Sequence, residues 1–368
     1  MRKLVLIGGG HAHLLTIRNI PRFVERGFCV EVVGSSPFHY YSGMGPGMLG
    51  GTYGPEEIRF STQEDVERPG GRFIHDTAIA IDADKRRVLL QSGASLAYDI
   101  LSCNCGSQVT GLGFSADSDR VFRVKPIENL LGLQQKIAQR GGAETVHIAI
   151  IGGGPSAAEI AGNILQLART RRLQAMQVTI FSRHRFMGQF PLRTQRLCQE
   201  SLAGRGVAFF ADQQVEAIRA GGLETGDGHF FPADLVCVAT GVRPSGLFAD
   251  SGLPTGPDGG LLVNAFLQSE RHPEIFGGGD CISFGPSPLD KVGVYAVRQN
   301  QVLFDNLLAA LEMRELRRFS PGGGYLRIFN LGQGIGVLQK GSFSFRGRSA
   351  FLLKDLIDRR FMRRFQAQ

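Results

Sequence analysis

The chain has 368 residues, 43% of them hydrophobic, with 50 glycines, six cysteines and no tryptophan. That is length for two or three domains and apolar material for packed cores, which excludes general disorder. The formal charge of +8 is uneven: from Glu312 onward twelve Lys and Arg face four Asp and Glu, so the first 311 residues are neutral. A basic tail on a neutral body points to a local anionic partner such as lipid headgroups, or to a solvated basic surface. No RNA- or DNA-binding motif accompanies the charge, so nucleic acid is not expected.

The first element, KLVLIGGGHAHLL (residues 3–15), is an apolar strand that runs into three glycines and a helix-like segment. Only four apolar residues follow Arg2 and Lys3, too few for a signal peptide, and no apolar run reaches the length of a membrane span. Gly8 and Gly10 fill the first two glycine positions of a G-x-G-x-x-G turn, but His13 stands at the third. The backbone of Gly8, Gly9, Gly10, His11 and Ala12 is the candidate pyrophosphate cradle. The His11 and His13 rings either add polar contacts there or are ordinary packed residues. The next strand ends in GSS, with Ser35 or Ser36 where an acid would read a ribose.

YDILSCNCGS (98–107) reads as an apolar strand with a glycine exit at Gly106. In a strand Cys103 and Cys105 face the same side, and buried, inert thiols are expected. No cysteine pair has C-x-x-C spacing, so neither a metal site nor a thioredoxin-type couple is indicated, and the usage suits a reducing, cytoplasmic setting.

VHIAIIGGGPSAAEIAGNILQLARTRR (146–172) repeats the opening pattern 144 residues on. Gly152, Gly154 and Ala157 complete the turn here, and Pro155 and Ser156 open a helix predicted to run to about Thr170. Two such turns imply two dinucleotides, usually for electron transfer from a nicotinamide to a flavin. QVTIFSRHRF ends its strand at Ser182 with Arg183 and Arg185 beyond and no acid, so NADPH is expected at least as much as NADH; the alternative is an exposed basic turn. ADLVCVATGVRP (233–244) exits through Gly241. EIFGGGDCISF (274–284) ends in Asp280, able to accept from a ribityl hydroxyl, beside a structural Cys281. A helix over 294–311, carrying Tyr295, would aim its N-terminus at a flavin.

The remaining segment reads as a hairpin around Gly332–Gly336 followed by a helix over SAFLLKDLIDRRFMRRFQAQ. Leu352, Leu353, Leu356 and Ile357 share one side and suit docking on the protein body. Phe361, Met362 and Phe365 lie roughly opposite, among four arginines, and suit a membrane surface. A helix pinned between domains, or a dimer contact, are the alternatives.

Together GGGHAH, YYSGMGPGMLGGTY, VKPIENL, GGGPSAAEIA, ATGVRP, GGGDC, KVGVYAVRQNQVLFDNL and KDLIDRRFMRRF resemble the FAD-dependent pyridine nucleotide-disulfide oxidoreductases. The resemblance covers nearly the whole chain and is nearest the branch associated with selenide, water dikinase. Type II NADH dehydrogenases and sulfide:quinone oxidoreductases are more distant. It implies an α/β fold of two Rossmann-like dinucleotide-binding domains, glutathione-reductase-like and three-layered, plus a short C-terminal α+β segment. The flavin domain would be split into 1–115 and 242–315 around a nicotinamide domain at 116–241, with 316–368 as the terminal unit. It implies that GGGHAH is the flavin turn and that Glu159 orients the nicotinamide and flavin rings. It also puts Lys291, or less strongly Lys125, near the flavin pyrimidine; a surface salt bridge is the alternative for both. YYSGMGPGM lacks the redox cysteine of the disulfide reductases. The expected activity is therefore an NAD(P)H dehydrogenase passing electrons through FAD to a small acceptor, a quinone first. Its rivals are a selenium- or sulfur-compound oxidoreductase and a flavin-bearing redox sensor or docking module. The expected place is cytoplasmic, at the inner membrane face if the C-terminal helix docks there.

Overall fold

The computed structural model describes residues 1–109, 119–140, 145–173 and 176–366. Two five-stranded parallel sheets organise it. The first has the order Ile275–Gly277, Ile100–Cys103, Lys3–Ile7, Cys29–Gly34, Arg72–His75. The second has the order Val121–Arg123, Leu235–Val238, Val146–Ile151, Met176–Ser182, Ala208–Ala211. Their central strands are continuous apolar runs because both faces are covered. Leu4, Val5 and Leu6 are fully buried in one, and Ile150 in the other.

In each sheet the chain leaves the central strand to one side first and returns on the other. The crevice at that reversal opens at the strand's C-terminal end, where Gly8 and Gly152 lie. A three-stranded antiparallel meander forms a third layer on each: Ala78–Asp82, Arg87–Leu90 and Ser95–Ala97 on the first, and Val215–Arg219, Gly222–Thr225 and Phe230–Pro232 on the second. The two crossings between the units run side by side, with Gln108–Val109 antiparallel to Val242–Arg243. The expected boundary at 115/116 lies outside the described residues.

The two glycine turns lead into different helices. Pro155–Arg171 is one unbroken helix, with its proline at the first position, where no N–H is needed, and a left-handed Arg172 closing it. After the first turn the chain forms only Leu14–Arg18, then Ile20–Val24. Pro21 cannot donate to the preceding turn, and Asn19 bonds back to the Leu15 carbonyl instead.

The C-terminal unit gains a strand over the expected hairpin: Arg327–Asn330, Gly336–Lys340 and Phe343–Gly347 form an antiparallel sheet, followed by the helix Arg348–Phe365. A common core joins this unit to both others. Met44 and Met48 of the first, Ile160 and Ile164 of the second, and Phe329 and Met362 of the third share it.

Candidate active site

At the first turn Gly8 has φ +86°, and a Cβ there would strike the Asn104 carbonyl. Cβ atoms at Gly9 and Gly10 would lie 2.5 Å from Thr62 Cγ2 and 2.8 Å from Asn104 Nδ2. Small residues are obligatory for this close approach. His13, the departure from the motif, is fully buried. Its Nδ1 donates to the Gly8 carbonyl at 2.6 Å, which leaves Nε2 to accept from the Ser102 hydroxyl at 2.8 Å. Burial lowers its pKa to about 4, so it is neutral. His13 thus ties the turn to the neighbouring strand, and both nitrogens are spent inside the protein. Ala12 supplies the close packing a third glycine would give: a Cβ on Gly278 would come within 2.8 Å of its methyl.

His11 faces the other way. Its Nδ1 lies 3.1 Å from His39 Nε2, and its ring stacks on Phe361 of the C-terminal helix at 5.7 Å. Burial first, then Lys125, lowers its pKa to about 4. His11 Nε2 and Asn104 Nδ2 are buried without a hydrogen-bond partner in the protein. A glycine cradle with unpaired polar atoms beside it fits a phosphate-bearing ligand such as the dinucleotide of a flavin.

Around this turn the expected residues divide. Ser35 is exposed, with its carbonyl 3.1 Å from His75 Nε2, while the Ser36 hydroxyl accepts from the Phe38 N–H at 3.2 Å. Gly106 has φ +73° and faces open space. Cys105, just before it, is exposed rather than packed inertly beside Cys103. Asp280 Oδ2 already accepts from Lys125 Nζ and Ser107 Oγ, both at 2.8 Å, so Lys125 is paired at this edge. Lys291 is bound instead by Asp258, at 2.6 Å, and by the Ile282 carbonyl. Its ammonium lies in an ion pair, and Lys291 lines one cavity with Asp280 and Tyr295. Tyr295 packs edge-on against Tyr325 at 5.6 Å.

The second turn repeats the geometry. Gly152 has φ +131° and abuts the Ala239 carbonyl, and Gly153 abuts the Ser182 side chain. Beyond Gly154, at the N-terminus of the helix opened by Pro155, Ser156 and Ala157, there is open space. Ser182 is buried and bonded to the His184 carbonyl, while Arg183 and Arg185 are exposed past the strand end. Gly241, with φ +106°, faces open space.

One turn into this helix, Glu159 Oε1 accepts from the Asn330 N–H at 2.8 Å. Desolvation raises its pKa to about 7, against the pull of Lys354 and the Asn330 bond. Lys354 belongs to the C-terminal helix. It donates to Asp358 Oδ2 and to the Gly43 carbonyl, both at 2.7 Å, and Tyr41 donates to Asp358 Oδ1 at 3.0 Å. Tyr53 bonds Asp355 at 2.8 Å. This buried row was not foreseen, although the i, i+4 spacing of Lys354 and Asp358 in KDLID displays it.

The same packing reverses the expected orientation of the helix. Met362 is buried and Phe361 packs on His11 and on Tyr41, at 4.8 Å, whereas Leu352, Leu353, Leu356 and Ile357 are exposed. The face expected to dock is the free one. The inner face carries the Lys354–Asp358 pair together with Phe361 and Met362.

The pyridine nucleotide-disulphide oxidoreductase family model matches residues 2–301. The chain is 28% identical over 295 residues to the nitrite reductase [NAD(P)H] of Bacillus subtilis, covering 76% of this chain and 34% of that protein. It is 29% identical over 315 residues to the demethylphylloquinone reductase NdbB of Synechocystis sp., covering 80% and 75%. It thus spans about a third of the length of the Bacillus relative. The solved sulfide:quinone oxidoreductase of Aquifex aeolicus superposes with a TM-score of 0.79 at 19% identity, over 100% of this chain and 92% of that one. With two parallel sheets, two glycine turns at their reversal points and a family match over most of its length, the chain belongs to the pyridine nucleotide-disulphide oxidoreductases.

Proposed function

We propose that the chain is an FAD-dependent NAD(P)H dehydrogenase that passes electrons to a quinone-like acceptor without a redox-active disulfide. One observation carries the reading. Two glycine turns each stand at a sheet reversal, and the two units that carry them are joined through Lys125 and Asp280. A bound flavin supplies the two-electron carrier between nicotinamide and quinone.

The protein's own groups have distinct tasks. The N–H groups from Gly8 to Ala12 hold the flavin pyrophosphate, flanked by Ser35, Ser36, Gly106, Asp280 and Tyr295. The turn from Gly152 to Ala157, with Ser182 and Gly241, holds the nicotinamide nucleotide. Arg183 and Arg185 reach its adenosine ribose and favour the 2′-phosphate of NADPH. Glu159 orients the nicotinamide and keeps a proton near neutral pH. The segment Tyr41–Leu49 contains no cysteine, so no thiol relay intervenes there. The exposed apolar face of the C-terminal helix and the arginines around it meet an anionic membrane from the cytoplasmic side, where a quinone is dissolved.

The test is an anaerobic titration of the purified protein with NADH and, separately, NADPH, following the visible flavin band. Rapid bleaching is expected, with NADPH at least as effective. A yellow protein that neither nucleotide bleaches overturns the reading.

A further inference from the structure

Two imidazoles for which the dehydrogenase reading has no task meet at the first glycine turn. His11 lies within the turn. His39 lies on the short strand His39–Tyr40, opposite Phe60 of Arg59–Phe60. His11 Nδ1 is 3.1 Å from His39 Nε2, so one ring donates to the other. The rings meet edge-on, with centroids 4.8 Å apart. Aromatic side chains close around them. Phe361 stacks on His11, Tyr41 leans on His11 at 5.2 Å, and Phe60 stacks on His39 at 6.1 Å. His39 is half-buried, whereas His11 is buried and its Nε2 has no partner in the protein. The pair therefore runs from a partly open ring to an unanswered nitrogen in the turn.

A neutral imidazole carries one N–H, so the joined pair has two states. In the first, His39 Nε2–H donates to His11 Nδ1, and His11 Nε2 holds a proton. In the second, His11 Nδ1–H donates to His39 Nε2, His11 Nε2 is bare, and the outer proton sits on His39 Nδ1. The two states differ by one proton moved inward across both rings. Burial and Lys125 disfavour an imidazolium at either ring, and both states are neutral. Tyr41, the other titratable neighbour, has its hydroxyl committed to Asp358.

We propose that His11 and His39 conduct, from solvent to the ligand at the first glycine turn, the one proton that the dehydrogenase reaction draws from water. The proposal rests on the dehydrogenase reading. NAD(P)H gives a hydride, which is two electrons and one proton, while a quinone gains two electrons and two protons. The second proton leaves His11 Nε2, the His39 Nε2 proton passes to His11 Nδ1, and His39 Nδ1 takes a proton from water. It ends in the second O–H bond of the quinol. Rotation of the rings between turnovers restores the first state. The aromatic sleeve keeps the path apart from other water.

The test uses the full-length, flavin-loaded protein. Before any turnover, NMR of isotope-labelled histidine in the oxidised protein should show two neutral rings coupled through Nδ1 of one and Nε2 of the other. A charged ring, or uncoupled rings, overturns the proposal. His39→Phe keeps an aromatic ring against Phe60 and ends the path; His39→Gln keeps an N–H for His11 and also ends it. Both should bleach with nucleotide as the parent does, yet turn over a soluble quinone roughly a hundredfold more slowly, with an increased solvent deuterium isotope effect. If His39→Gln turns over as the parent does, the pair only positions the turn and the proposal falls. It falls equally if turnover drops with no change in the isotope effect, or if both variants lose their flavin. A parent protein that neither nucleotide bleaches removes the dehydrogenase reading and this proposal with it. A parent that bleaches, with unimpaired variants, removes this proposal alone.

Discussion

At the scale of single residues, the site runs on protonation states set by burial. His11 and His13 are held neutral in the folded chain, whose pKa values there are about 4. Between pH 6.5 and that value the unfolded chain takes up protons that the folded chain refuses, so these histidines lower stability as pH falls. Glu159 acts in the opposite sense. Its pKa is raised from 4.5 to about 7, so over that window the folded chain holds a proton that the unfolded chain has released. Its contribution therefore falls as pH rises through the window and levels off above it. Glu159→Gln keeps the oxygen that accepts from Asn330 and removes the titration. It should raise stability at pH 8 by about 1–2 kcal/mol and leave it little changed at pH 4. Urea unfolding of both proteins at the two pH values checks this; an equal shift at both removes Glu159 as the titrating group. The His13 departure was visible in the sequence, but its role was not, because Ser102 is 89 residues away.

At the scale of elements, the C-terminal helix turns an ion pair as well as apolar side chains toward the body. Asp358 is 4% exposed and takes bonds from both Lys354 and Tyr41. Burial raises its pKa, against the pull of those two donors. Lys354→Met strands this carboxylate, and should cost about 3 kcal/mol in denaturant unfolding. Joining Asp358→Leu to it removes the stranded charge and should recover most of that loss, less the bond Tyr41 gives up. If the double variant is no more stable than the single, the stranded carboxylate is not the source of the loss. Helical periodicity predicted this element well, since 3.6-residue spacing is a local property. It could not tell which of two apolar stripes turns inward, because that depends on Tyr41, Gly43 and Glu159 brought from elsewhere.

At the scale of the whole molecule, the proposed membrane contact rests on the outward stripe of the C-terminal helix. Leu356 is 58% exposed and Leu352 53%, with Phe343 and Phe345 also exposed on the adjoining sheet. Exposed arginines at 346, 348, 360, 363 and 364 accompany them. Among the described residues no helix is long and apolar enough to cross a membrane. The proposed contact is in-plane, with apolar insertion and attraction to anionic headgroups acting together. Full-length protein should float with vesicles containing phosphatidylglycerol and less with neutral ones. Leu352→Ser combined with Leu356→Ser should weaken binding about tenfold or more while unfolding as the parent does. Flotation unchanged by these exposed substitutions would end the membrane assignment of this face.

The sequence by itself determined the two nucleotide-type turns, the strands that carry them and the continuous helix after Gly154. These follow from contiguous patterns: an apolar run, glycines where backbone must approach backbone, and a proline where no N–H is needed. Only the tertiary structure decided what distant residues share. It paired Lys291 with Asp258 and Lys125 with Asp280. It seated His13 on Ser102, turned the Lys354–Asp358 row inward and brought the Cys281 thiol onto the Cys103 carbonyl. Each is a contact between segments far apart in the chain, where side-chain burial and pairing select one partner among many that composition alone allows.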